Sequence, residues 1–149
     1  MMGIIQELFT VQCLIALVAG TAGGLLIGAL PGLSATMGMS LLIPITYGME
    51  TAPAMIMIAA VYVSAVYGGS FSAILIHTPG TPASAATAID GYELTKQGKG
   101  LKAVGVSSIS SVTGGVISAV ALLFLAPQLV KVSLMFSSPE YFLIAIFGL

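Results

Sequence analysis

The chain has 149 residues, of which 58% are hydrophobic and 6% charged, with a net charge of −1 and a mean hydropathy of +1.12. Soluble domains carry about 25% charged residues, so a chain this apolar cannot cover its own surface in water, and lipid is the solvent that removes the problem. The absence of Arg and of a basic patch excludes nucleic-acid binding, the lone Cys13 excludes a disulfide framework, and long apolar runs without alternation argue against a β-barrel.

Met1 to Thr10 lack the basic start of a secretory signal, so the first apolar run is read as a permanent span. It covers about Val11 to Leu30, enough at about 1.5 Å per residue to cross a core of about 30 Å. Cys13 is a small apolar filler there. Gly20, Gly24, Gly28 and Gly32 recur at every fourth position and form a stripe that lets another helix approach closely. Leu30-Pro31-Gly32 breaks this helix. A second segment, Ser34 to Tyr47 with Pro44 inside it, is short for a span and is expected to be broken or partly re-entrant.

Glu50-Thr51-Ala52-Pro53 is a polar turn, with Thr51 as the expected N-cap. The next span runs from Ala54 to Ile76, with small residues at Ala60, Ser64, Gly68 and Ser72. Gly68-Gly69 inside it is expected to weaken the helix. His77-Thr78-Pro79-Gly80-Thr81-Pro82 breaks the chain again. A short re-entrant helix, residues 82–89, is expected to restart at Pro82 under a Thr81 cap and to end near Asp90-Gly91. The polar loop that follows carries Lys96, Lys99 and Lys102, which favours the cytoplasmic side.

A further span is expected from Ala103 to Ala126, stopped by Pro127, with small residues at Ser107, Ser111, Gly115 and Ala119 and at Ser110, Gly114 and Ser118. All these stripes read as packing surfaces. Glu140 and Tyr141 open a last apolar run, residues 140–149, too short to cross a bilayer, so the sequence reads as the N-terminal part of a longer protein. The fold class expected is all-α, a polytopic transmembrane helix bundle with interrupted helices.

The two Pro-Gly breaks are the informative feature. Irregular backbone at membrane depth is tolerated where protein buries it or water reaches it. Secondary transporters build sites from such interruptions: half-helix N-termini face an anion and unwound carbonyls face a cation. Both breaks lead into helix starts rich in Ser, Thr and Gly, which supply donors without positive charge. The competing reading is a pair of ordinary kinks. Asp90, at an expected helix end, would suit Na⁺ or a proton, against the plainer reading of an Asp-Gly surface turn. Glu50, Glu93 and Glu140 read as loop or interface residues. His77 is the only histidine, so no metal site beyond a coupling Na⁺ is expected. It reads as an interfacial helix-end residue, with a proton relay as the alternative. No enzyme is indicated: Ser70 precedes His77 by two helical turns, about 10 Å, too far for a nucleophile and its base.

At these breaks the sequence resembles a known family. Gly28-Ala-Leu-Pro-Gly-Leu33, Leu42-Ile-Pro-Ile-Thr-Tyr47, Tyr67-Gly-Gly-Ser-Phe-Ser-Ala-Ile-Leu75, Thr78-Pro-Gly-Thr-Pro-Ala-Ser84 and Ala88-Ile-Asp-Gly-Tyr92 occur in the order and spacing of the large membrane subunit, TctA, of tripartite tricarboxylate transporters. The resemblance implies a multi-pass inner-membrane protein. It also implies a small membrane subunit and a periplasmic solute-binding protein as partners, and uptake of citrate or other small carboxylates on an ion gradient, with no cofactor. On that reading Pro31, Gly32, Ser34, Thr36, Thr78, Pro79, Gly80, Thr81 and Ser84 hold the substrate, and Asp90 with Thr87 holds Na⁺ or a proton. A membrane scaffold or assembly subunit with no transport path is the alternative.

Overall fold

The structure is a computed structural model that describes residues 8–147. The described residues form helices joined by turns, with no strand among them. These are α1 (Val11–Ala29), α2 (Ala35–Thr46), α3 (Thr51–Ile76), a single 3₁₀ turn (Pro82–Ser84), α4 (Ala85–Lys96), α5 (Gly100–Ser133) and α6 (Ser138–Phe147). Three of them, α1, α3 and α5, are long and apolar enough to cross a membrane. The chain divides after Ser108 into two compact units.

In the first unit α1 and α3 lie side by side and run in the same direction. The glycine stripe makes this possible. Gly20 meets Met57 and Ala60, Gly24 meets Val61 and Ser64, and Gly28 meets Ala65. The contact is backbone on backbone: a Cβ on Gly20 would stand 2.8 Å from the Met57 carbonyl oxygen, and one on Gly28 would overlap the Ala65 carbonyl. Gly68 returns the fit from α3, where a Cβ would stand 2.7 Å from the Leu25 carbonyl oxygen. The buried Ser64 hydroxyl donates within α3 to the Ala60 carbonyl and faces Gly20 O across the seam at 3.4 Å. Small residues close the seam while Leu14, Leu17, Val18 and Leu26 face outward, an arrangement suited to lipid.

The short α2 runs back along α1, its Gly38 on Ile27 and its Leu42 toward Gly23. It continues through Pro44 to Thr46. Thr51 is the first residue of α3 and Glu50 its N-cap, one position earlier than the sequence suggests. Gly68-Gly69 does not interrupt α3, because each glycine is occupied by a packing partner that compensates its low helix propensity. Helix α5 touches α3 through side chains at two places: Gly100 lies against the Leu75 side chain, and the Tyr67 and Ser108 hydroxyls share a hydrogen bond.

The second unit holds the rest of α5 and α6. Pro127 does not stop α5, which continues to Ser133. A proline removes one N–H bond, and an apolar helix tolerates that where neighbouring groups or a local adjustment satisfy the backbone. The small residues from Ser110 to Ala119 lie exposed on this helix. Before α6, the Ser137 N–H donates to the Glu140 carboxylate at 2.7 Å, one half of a helix-start box. The Tyr141 hydroxyl donates to Ser133 O at 3.3 Å.

Candidate functional site

The first break begins where Leu30 leaves the helical region. Its N–H donates to Ile27 O at 3.2 Å, and Leu33 N–H donates to Leu30 O at 3.3 Å. Gly32 sits at φ 94, in the left-handed region, with open space where a Cβ would be. Ser34 then caps α2 by accepting the Met37 N–H at 3.2 Å, and its hydroxyl lies 2.8 Å from that of Thr36. Pro31, Gly32 and Thr36 are exposed and Ser34 is half-buried.

The second break is a reversal. His77 ends α3 in the left-handed region at φ 56, the only described non-glycine residue with positive φ. The chain folds back along the last turns of α3: Thr78 N–H donates to Ser72 O at 3.3 Å and Gly80 N–H to Gly69 O at 3.4 Å. Thr81 is extended, and Ser84 closes the 3₁₀ turn. Ser84 Oγ donates to Thr81 O at 2.7 Å and accepts the Thr81 N–H at 3.3 Å. Thr78 and Pro79 are exposed, whereas Gly80, Thr81 and Ser84 are buried.

The second break meets the helix end that leads into the first. A Cβ on Gly80 would overlap the carbonyl oxygen of Gly28, the last turn of α1, and stand 2.9 Å from Ser72 Oγ. A Cβ on Gly69 would stand 2.6 Å from Thr81 Oγ1. The end of α1, the last third of α3 and the returning segment therefore form one packed junction with no charged side chain in it. Ser34 and Thr36 belong to the α2 start, and no hydrogen bond among the described residues joins them to Thr78–Ser84.

Asp90 lies inside α4, not at its end. The helix runs on to Lys96 because Gly91 packs on Ile74 and the Thr95 hydroxyl donates to Ile74 O at 2.7 Å. Helix-end carbonyls are thus not available beside the Asp90 carboxylate. Asp90 is exposed and Thr87, one turn before it, half-buried. No group of three metal-ligating side chains occurs among the described residues. Beyond them on α4, Lys96 bonds Glu93 at 2.6 Å, and that hydrogen bond holds Lys96 above its ordinary value.

Sequence reasoning placed Ser72 in a packing stripe and Gly69 at a weak point of the helix, but missed that both seat the returning segment, and missed the cross-link made by Thr95. It read His77 as a helix-end residue, which the C-cap position matches, but did not foresee that its Nδ1 lies 3.2 Å from Ala88 O or that its ring packs, tilted, on Tyr92 with centroids 4.6 Å apart. A histidine directly before Thr-Pro-Gly was the available signal, since His is enriched at positive φ.

Comparison with known proteins identifies the family of the chain. The model of the tripartite tricarboxylate transporter TctA family matches residues 14–149. An uncharacterized 52.8 kDa protein in the TAR-I ttuC' 3' region of Agrobacterium vitis is 38% identical over 139 residues, which is 93% of this chain. The chain spans 27% of the length of that relative. No solved structure matches. With the family pattern covering both breaks and the chain from residue 14, early in α1, to its last residue, the chain belongs to the tripartite tricarboxylate transporter TctA family.

Proposed function

We propose that this chain supplies membrane helices of the large subunit of a secondary, ion-gradient-driven uptake system for small organic carboxylates, tricarboxylates such as citrate among them. The subunit works in the inner membrane with a small membrane subunit and a periplasmic solute-binding protein. The observation that carries the reading is the junction at which Gly28, in the last turn of α1 just before the first break, meets Gly80 of the second. Two interruptions at one place, uncharged and flanked by helix starts, suit an anion held by backbone dipoles and hydroxyls. Ser34, Thr36 and Thr78, with the backbone at Pro31, Gly32 and Pro79, offer the accessible groups. Gly80, Thr81 and Ser84 hold the shape of the junction, since the last two engage each other. Asp90 and Thr87 share a face of α4 and serve the coupling ion, Na⁺ or a proton.

The test is uptake of labelled citrate, and of a dicarboxylate, into vesicles carrying the complete transporter with both partners, with and without a Na⁺ gradient. Gradient-dependent uptake that needs the binding protein, and that falls in Ser34→Ala and Thr36→Ala, supports the reading. Full uptake in both variants removes those hydroxyls from the site. The close packing at Gly80 favours one second reading, a scaffold whose breaks are packing kinks. A total absence of carboxylate uptake under either gradient would move the assignment there.

A further inference from the structure

His77 does two things that the residues around it do not. Its backbone turns the chain through a left-handed conformation at φ 56, a region that side chains other than Gly, Asn, Asp and His seldom occupy. Its imidazole then reaches across to α4, with Nδ1 3.2 Å from the Ala88 carbonyl oxygen and the ring 4.6 Å from that of Tyr92. The Tyr92 ring has a second neighbour in Lys96, whose Nζ lies 5.2 Å from its centroid. The Ala88 carbonyl belongs to a helix interior, and Ala88 itself is 5% exposed where α4 lies on α3.

Between His77 and Ala88 lies the returning segment, Thr78–Ser84. One end of it is pinned by the Ser72 and Gly69 carbonyls. Its other end leads into α4, and the His77 ring is the side-chain clasp that ties the start of the segment to the helix after it. We propose that His77 is a positioning residue of the second break: its ring, bonded to Ala88 O and stacked on Tyr92, sets where Thr78–Ser84 lies against the end of α1. The ring touches no substrate in this role and acts through the segment it closes. The consequence for transport rests on the reading of this break as part of the substrate path; the clasp itself does not.

The experiment separates the two. A cysteine at Ala88 in a Cys13→Ala background of the complete transporter reports the seating of α4, through its rate of reaction with a membrane-impermeant maleimide in sealed vesicles of both orientations. His77→Gly keeps the left-handed turn but removes the ring. His77→Asn keeps the turn and offers an amide N–H toward Ala88 O. Loss of one hydrogen bond and one ring contact is expected to raise the labelling rate about tenfold or more in His77→Gly. His77→Asn is expected to stay within about threefold of the parent, and Tyr92→Leu to fall between. A labelling rate in His77→Gly equal to the parent overturns the proposal, as does equal labelling of His77→Gly and His77→Asn. Citrate uptake is measured on the same vesicles. Increased labelling with uptake lost in His77→Gly and kept in His77→Asn supports both the clasp and the transport reading. Increased labelling where the parent itself takes up no carboxylate leaves the clasp standing and rejects the carboxylate reading alone.

Discussion

Replacing Gly24 by alanine tests the helix seam most directly. A Cβ at this position overlaps the Ser64 hydroxyl and stands 2.5 Å from the Val61 carbonyl oxygen and 2.9 Å from Val61 Cα. The serine could turn away, but the Val61 atoms are backbone, so α1 and α3 must separate by roughly 1 Å to restore ordinary contact. Overpacking of this kind costs about 1–3 kcal/mol, and backbone overlap argues for the upper end. Alanine returns about 1 kcal/mol through its better helix propensity. The net loss is about 2 kcal/mol, or a fall in thermal midpoint of about 4–8 °C for a chain of this size. Cys13 provides the assay. It is 2% exposed on the α1 face that meets α3, so its reaction with a thiol dye during heating reports opening of the seam. Gly105→Ala is the control, because a Cβ there meets nothing within 4 Å and helix propensity alone should raise the midpoint. A Gly24→Ala midpoint equal to or above that of Gly105→Ala would refute close backbone packing as the basis of the seam. Adding Ser64→Ala to Gly24→Ala should recover only part of the loss, since the Val61 contact remains.

The two break glycines should separate in the same assay. Gly80→Ala drives a Cβ into the Gly28 carbonyl and should lower the midpoint as much as Gly24→Ala, whereas Gly32→Ala meets open space and loses only about 1–2 kcal/mol for its φ of 94. Equal effects would show that the junction is looser than described. A cysteine at Ser34 should react readily with a polar maleimide in the folded protein and one at Ser84 should not, because Ser34 is half-buried and Ser84 only 2% exposed. The Lys96–Glu93 pair is exposed, so Lys96→Gln should leave the midpoint at neutral pH unchanged. Because Glu93 raises the Lys96 value above that of the unfolded chain, whatever the pair contributes is complete below the ordinary lysine range and is lost only as pH climbs through the raised value. A midpoint that falls between pH 6 and 8 must come from another group.

The helix seam was legible in the sequence because its cause is local. Glycine at every fourth position of α1 and small residues at the same spacing in α3 have one physical use in an apolar helix, which is close approach. The Thr81 start of the 3₁₀ turn was legible for the same kind of reason, since cap chemistry depends on a few neighbouring residues. What distant partners decide was not legible. Gly68-Gly69 weakens an isolated helix, but here α1 and Thr81 fill the space. Asp90-Gly91 reads as a stop until Ile74 is placed against Gly91. Pro127 reads as a terminator, yet α5 passes through it. At the candidate site, the two breaks could be found from Pro-Gly, but their contact could not, because it depends on α1 and α3 running parallel.

That parallel seam has a consequence for biogenesis. Two neighbouring helices of the same polarity cannot be joined by a tight turn, so α2 must be laid down between them before their faces can meet. About 40 residues of synthesis separate Gly24 from its partner Val61, and at ~5–20 residues per second the glycine face of α1 waits about 2–8 s for α3 to emerge. During that interval its closest-packing surface faces lipid or whatever inserts the chain. The seam of α1 therefore stays open until the helix after next has been made, although α2 is already at hand to pack on its other side.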